Sequence, residues 1–205
     1  GDLVVGRCAE GDEFPASTFN SKVVSARVFN KGYQAMVPRA KWSPEEFNSP
    51  RDGNGHGSHT ASTAAGNEIS NAVIGSSSFG TSAGMAPGAK LAIYKTCFDA
   101  ADPSRSGCLL SDNIEAVDQA VRDGVDVINY SIGGGSPDDP ASLLETAFMS
   151  AATAGIFIAG AAGNEGPGTA TVDKNSPWVT TVAASTIHRF EGTVILGDGT
   201  RFRGA

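Results

Sequence analysis

No stretch of this chain approaches the roughly 20 consecutive apolar residues that a membrane-crossing helix needs. The opening residues Gly1-Asp2-Leu3-Val4-Val5 lack the basic and then apolar segments of a secretory leader. The chain is therefore either cytoplasmic or already free of its leader. Positive charge is also scarce: 15 Lys and Arg stand against 22 Asp and Glu, a formal net charge of −7. A nucleic-acid binder needs a basic stripe to release counterions from phosphates, and none is present. There are only three cysteines, Cys8, Cys97 and Cys108, and none in C-x-x-C spacing, which excludes the usual zinc and redox motifs. His56 and His59 come without a His-Glu-x-x-His pattern, so they do not read as a metal pair. Hydrophobic residues make up 40%, which is incompatible with a disordered chain.

Glycine, by contrast, is abundant. It supplies 26 of 205 residues, roughly twice the usual share. Such an excess marks tight loops, often where backbone approaches a ligand. The length suits one well-packed domain and not two.

Periodicity sets an order of elements. Val23 to Phe29 reads as a β-branched strand, and residues 30–55, rich in proline and glycine, as mostly loop. His56 to Ala65 is small and helix-compatible, with Gly66-Asn67 as its stop, and residues 66–89 read as Gly/Ser-rich loop. Leu91 to Thr96 is a second strand. Ser111 caps a helix that runs to Asp123, presents Ile114, Val117 and Val121 on one face, and stops at Gly124. Val125 to Tyr130 follows as a buried strand. Asp139 and Pro140 open the next helix, with Leu143, Leu144, Ala147, Phe148 and Ala151 inward and Gly155 as its end. Ile156 to Ala161 and Trp178 to Ala183 are further buried strands, and Val194 to Phe202 is a hairpin turning at Gly197-Asp198-Gly199. Strands alternating with helices predict an α/β fold with a mainly parallel sheet flanked by helices.

Ligands bind beyond the carboxyl ends of strands in such sheets. Two glycine-bearing loops fall there: Ser131-Ile132-Gly133-Gly134 and Ala162-Gly163-Asn164-Glu165-Gly166. His56 is flanked by Gly55 and Gly57, which leave an imidazole open to a substrate, and a histidine suits proton transfer near neutral pH. The bland alternative is a helix-start histidine bonded to a loop carbonyl. An asparagine amide at Asn164 could stabilise an oxyanion, or could simply serve a turn. Gly160, Gly163 and Gly166 are spaced like a phosphate loop, but Pro167 and Gly168 supply no helix after them. Cys97 and Cys108 bracket a polar loop that a disulfide would close; two free thiols are the alternative.

Read together, these segments resemble the subtilisin-like serine proteases, most closely the plant-subtilase branch. Asp52-Gly53-Asn54-Gly55-His56-Gly57-Ser58-His59-Thr60 is similar to the family's histidine block, and Gly84-Met85-Ala86-Pro87 with the following strand to the next. Gly124 to Gly135 resembles the substrate-binding strand, Ala162 to Pro167 the oxyanion-hole block, and Ser176 to Thr186 the segment after it. The blocks run in order from near residue 5 to the end. The resemblance implies that His56 is the general base and Asn164 the oxyanion donor. It implies that Ser131, Ile132, Gly133 and Gly134 form the edge that pairs with an extended peptide. With Ala162 and Gly163 they would wall the pocket for the residue before the scissile bond. Cys97 and Cys108 match positions often bridged in that branch. The implied partner is a peptide or protein substrate, with no nucleic acid and no membrane. No cofactor is implied, although calcium, which the sequence cannot place, is compatible. Secretion is implied by the resemblance and by the candidate disulfide.

Two blocks are missing. No Asp-Thr-Gly or Asp-Ser-Gly precedes His56, and Asp2, followed by Leu3-Val4-Val5, does not replace it. The serine block Gly-Thr-Ser-Met-Ala-x-Pro is also absent. Gly80-Thr81-Ser82-Ala83-Gly84-Met85-Ala86-Pro87 mimics it, but Ser82 precedes a strand and comes before Asn164, so it reads as structural. Asp52 reads as a loop residue and His188 as a surface one. Phe19 stands where the branch often has the cysteine that would pair with Cys8, as expected of a bacterial or otherwise diverged member. Residues 1–205 thus read as the central part of a subtilisin-like catalytic domain, incomplete at both ends. A degenerate, inactive binding module is the alternative.

Overall fold

The computed structural model describes residues 11–133, 142–186 and 192–204. The expectations for Asp2, Cys8, Gly134, Asp139, Pro140 and His188 lie outside the described residues. In chain order the elements are β1 (Val23–Val28), α1 (Lys31–Met36), α2 (His56–Ala65), β2 (Val73–Ile74), β3 (Ser77–Ser78), β4 (Leu91–Lys95), β5 (Cys97–Phe98) and β6 (Gly107–Cys108). Then come α3 (Leu110–Asp123), β7 (Val127–Tyr130), α4 (Leu143–Thr153), β8 (Phe157–Ala161), β9 (Thr180–Val182), β10 (Gly192–Ile195) and β11 (Arg201–Gly204). β1 and β4 pair in parallel, and β7, β8 and β9 form a second parallel sheet in that order. β2–β3, β5–β6 and β10–β11 are antiparallel hairpins. The fold is α/β, with parallel sheets flanked by helices, as the alternation of elements predicts.

α3 holds the two parallel sheets side by side. Its apolar positions Ile114, Val117 and Val121 pack into a core with Tyr130, Leu144, Phe148, Ala151, Ile158 and Val179. Its last residue, Asp123, accepts hydrogen bonds from Arg27 on β1 (2.9 Å) and from the Tyr94 hydroxyl on β4 (2.7 Å). Burial and the Asp123 carboxylate together push the Tyr94 phenol well above its ordinary value, so it stays a donor. Gly124, in the left-handed conformation, ends the helix. A smaller aromatic cluster of Tyr33, Trp42 and Phe98 lies under α1, with ring centroids 5.0–5.5 Å apart.

Sequence and structure part company in several places, among them Leu143, expected to face inward and found 69% exposed at the first position of α4. First, the strands read as buried are buried on one face only. Ile128, Tyr130 and Ile158 face α3 and α4, whereas Val127, Phe157 and Val182 on the opposite face are 58%, 52% and 56% exposed. Parallel sheets are normally covered on both faces, and no described helix covers this one. Second, α3 begins at Leu110, one residue before the expected cap Ser111, because the cap position falls on Leu109. Third, α4 is capped by Ser142, whose hydroxyl accepts from the Glu145 amide at 3.3 Å. Ser142-x-x-Glu145 carries the capping-box spacing. Fourth, α1 and the β2–β3 hairpin arise inside segments read as loop. α1 exists because the Asp112 carboxylate, on α3, accepts from the amides of Gly32 (2.8 Å) and Tyr33 (2.9 Å).

Candidate active site

The chain enters α2 through a short glycine loop. Gly55 adopts φ +96°, which side chains resist, and turns the backbone so that His56 becomes the first residue of the helix. The turn is held by Asp52. One of its oxygens accepts from the amides of Asn54 (3.0 Å) and Gly55 (2.8 Å), and the other from the Ser58 amide (2.8 Å). Asp52 is a loop residue, as read from sequence, and from that loop its carboxylate caps α2 by accepting from the N-cap residue Gly55 and from Ser58 in the first turn. The Asp-Gly-Asn-Gly turn was the signal that could have revealed it. Partial burial raises the Asp52 carboxyl, but the hydrogen bonds from Gly55, Ser58 and Asn54 outweigh it and hold the group below its ordinary value.

A depressed carboxyl stabilises the fold above the ordinary carboxyl pKa, and that contribution is lost as pH falls through the lower folded value. Asp52→Ala is therefore expected to cost about 0.5–2 kcal/mol near neutral pH. The gap between wild type and variant should close on acidification in thermal unfolding followed from pH 7 to pH 2. A gap that persists in acid would contradict the capping role.

The His56 side chain is exposed, and among the described residues the imidazole has no hydrogen-bond partner. His59, one turn on, is exposed as well. No group of three His, Cys, Asp or Glu side chains that could hold a metal is found among the described residues. Ser82 lies in an extended bridge, its amide and carbonyl both bonded to Ile69, and opens no helix.

The second group of candidates sits at the carboxyl ends of β7 and β8. Ser131 exchanges side-chain hydrogen bonds with Asn129, and Ile132 packs against the main core. Ala162 donates its amide to the Val182 carbonyl (2.9 Å) and accepts from the Asp173 amide (3.0 Å). Gly163 has φ +90°, and it and Gly133 approach so closely that a Cβ built on Gly133 would lie 3.2 Å from the Gly163 Cα. A side chain at Gly133 would crowd the Gly163 loop, and one at Gly163 would meet the Glu165 carboxylate at 2.6 Å. Asn164 is exposed, with its backbone N–H donating to the Glu165 carboxylate (2.8 Å). Asp173, absent from the sequence reading, is buried against both glycines: its Oδ2 lies 2.5 Å from that Gly133 Cβ position and 2.8 Å from the equivalent one on Gly163. Nothing in its local sequence marks it. Gly134, the remaining candidate of this group, lies outside the described residues.

The structure thus draws Gly133, Ala162, Gly163 and Asn164 into one neighbourhood on the three-stranded sheet. His56 heads a helix packed on β4. Cys97 and Cys108, directly opposed in the β5–β6 hairpin, are joined by a disulfide.

A parallel α/β scaffold with a histidine opening a helix and an asparagine loop after a strand defines a class, and the comparisons name it. The chain belongs to the subtilase family of peptidases (Peptidase_S8), which it matches over residues 18–194. Its relatives include the subtilisin-like protease SBT1.6 of Arabidopsis thaliana, 48% identical over 203 residues, covering 97% of this chain and 26% of that protein. Subtilisin-like protease SBT1.5 of the same plant is 44% identical over 200 residues, covering 97% and 25% respectively. The match falls in the plant branch. Among solved structures the chain is similar to Sphericase, with a TM-score of 0.51 and 28% identity over 77% of this chain and 46% of that one. It is also similar to S41 Psychrophilic Protease, with a TM-score of 0.51 and 25% identity over 90% of this chain and 61% of that one. The chain spans about a quarter of the length of the plant relatives it matches.

Proposed function

We propose that this chain is the central part of the catalytic domain of a secreted serine endopeptidase of the subtilisin type. The observation that carries the reading is His56: an exposed imidazole at the head of α2, held there by Asp52, in a chain of the subtilase family. In the full-length protein a serine from chain beyond these residues attacks the scissile carbonyl, and His56 takes the hydroxyl proton. His56 then passes that proton to the leaving amine. An aspartate, also beyond these residues, orients the imidazole. The Asn164 side-chain amide donates to the oxyanion of the tetrahedral intermediate. The peptide lies extended along Ser131 to Gly134, where backbone pairing gives affinity and small residues let the chain approach.

The half-built scaffold supports this reading. The outer edges of β4 and β7 both lack a partner strand among the described residues, and α3 packs over both sheets. The uncovered face at Val127, Phe157 and Val182 calls for a helix layer. We assign both to the remainder of the catalytic domain, which brings the aspartate and the serine.

The test is direct. The full-length protein is expected to react with a serine-directed fluorophosphonate and to cleave casein, whereas the pure 205-residue chain does neither above background. Robust casein turnover by the short chain, or no labelling of the full-length protein, would overturn the proposal. The second result would favour a degenerate binding module.

A further inference from the structure

The segment from Pro44 to Gly55 delivers the chain to His56, yet it holds no helix or strand of its own. Proline, glycine and a left-handed turn leave it without a backbone ladder, so side chains must fix it. Asn30, Arg39 and Asp12 hold its middle, through Asn48, the Glu46 carbonyl and Ser49, and one buried group ties it to β4 at three points. The Lys95 ammonium, at the end of β4, donates to the Glu46 carboxylate at 2.5 Å, to the Arg51 carbonyl at 2.6 Å and to the Phe47 carbonyl at 3.3 Å. Both charged side chains are removed from water, 10% exposed for Lys95 and 2% for Glu46. Glu46 in turn accepts from the Phe47 amide (2.8 Å) and, through its second oxygen, from the Asp99 amide (2.8 Å). Asp99 then accepts from the Asn54 side-chain amide (3.1 Å), and the Asn54 oxygen accepts from the His56 amide (3.3 Å).

The ion pair therefore reaches the histidine by two routes. One runs from Lys95 through the Arg51 carbonyl to Asp52, which caps α2. The other runs from Glu46 through Asp99 and Asn54 to the His56 backbone. We propose that the buried Glu46–Lys95 pair is a positioning device for the histidine, pinning the Pro44–Gly55 segment to the end of β4 and so setting where the His56 imidazole stands. The proposal rests on the general-base reading of His56 given above. A buried pair of this kind is not needed for stability as such: breaking it by removing one partner is costly, but exchanging both for apolar residues is often neutral. A role in placement is what the apolar exchange would not restore.

That contrast gives the experiment. In the full-length protein, the double variant Glu46→Leu with Lys95→Met is compared with wild type in thermal unfolding, peptide hydrolysis and hydrogen exchange read by mass spectrometry. The expected result is an unfolding midpoint near that of wild type, a kcat at least tenfold lower with KM within threefold, and exchange at least tenfold faster in residues 48–58. Exchange in residues 143–161 should not change. A kcat within twofold of wild type in the folded double variant would overturn the proposal. So would a loss of kcat matched by faster exchange in residues 143–161. Should the double variant fail to fold, Glu46→Asp keeps the charge and withdraws the carboxylate by one methylene. It is expected to lower kcat at least fivefold without changing the unfolding midpoint, and unchanged kcat would sink the idea. If wild type itself proves inactive and unlabelled, the general-base reading fails separately. Exchange at residues 48–58 then decides the placement alone, and no change there would refute it.

Discussion

Replacing His56 by alanine in the full-length protein is expected to slow fluorophosphonate labelling and peptide hydrolysis by about 10²–10⁴-fold, the range usually lost with a general base. His56 is the first residue of α2, its backbone is tied through Asn54 and the Asp52 cap, and its ring is exposed, so little of the fold depends on the imidazole itself. The substitution should leave the unfolding midpoint within a degree or two of wild type, as surface changes usually do. His59→Ala, one turn along the same exposed surface, serves as the control and should retain most of the labelling rate. Unchanged labelling of the His56 variant would refute the base assignment. A parallel loss in both variants would point to damage to the helix rather than to chemistry.

Phe148→Ala is expected to cost about 3–5 kcal/mol of stability, the usual cost of truncating a fully buried aromatic residue. Phe148 is 0% exposed. Its ring meets Tyr130 of β7 edge to face, with centroids 5.0 Å apart, and it packs among Leu144, Ala151, Ile158 and Val179. It is thus where α4 grips the three-stranded sheet, and the carboxyl ends of that sheet carry Gly133, Gly163 and Asn164. The cavity left by alanine cannot be filled by Ala151, which has no reach. Denaturant unfolding of the full-length protein would show the loss, with Leu143→Ala, at 69% exposed, as a near-neutral control. A cost below about 1 kcal/mol for Phe148→Ala would mean that α4 does not seat on the sheet in this way.

The bounds of α2 were readable because its signals are local: a run of small residues between Gly55 and Gly66, with no competing pattern. The glycine loops after β7 and β8 were equally readable, since strand-then-glycine is a pattern of adjacent residues. α1 was not, because its first amides are satisfied by Asp112, some 80 residues away along the chain. The uncovered face of the three-stranded sheet was hidden for another reason. A run such as Val127-Ile128 or Phe157-Ile158 looks the same whether one face or both are covered. At the candidate site the histidine motif was plain, whereas its supports were only partly so. Asp52 was visible as a turn residue but not as a cap. Glu46 and Lys95, 49 residues apart, carry no local pattern that couples them. Asp173, between Val172 and Lys174, carries no local pattern and reveals itself through its contact with Gly133 and Gly163.

The bare face at Val127, Phe157 and Val182, beside the unpaired edges of β4 and β7, also governs how these residues behave when made alone. An open strand edge is a template for another chain, and an apolar face next to it rewards the pairing. Produced alone, residues 1–205 are expected to pair with their own copies and leave solution as aggregate, so the surface that the proposal assigns to a covering layer would be self-adhesive without one.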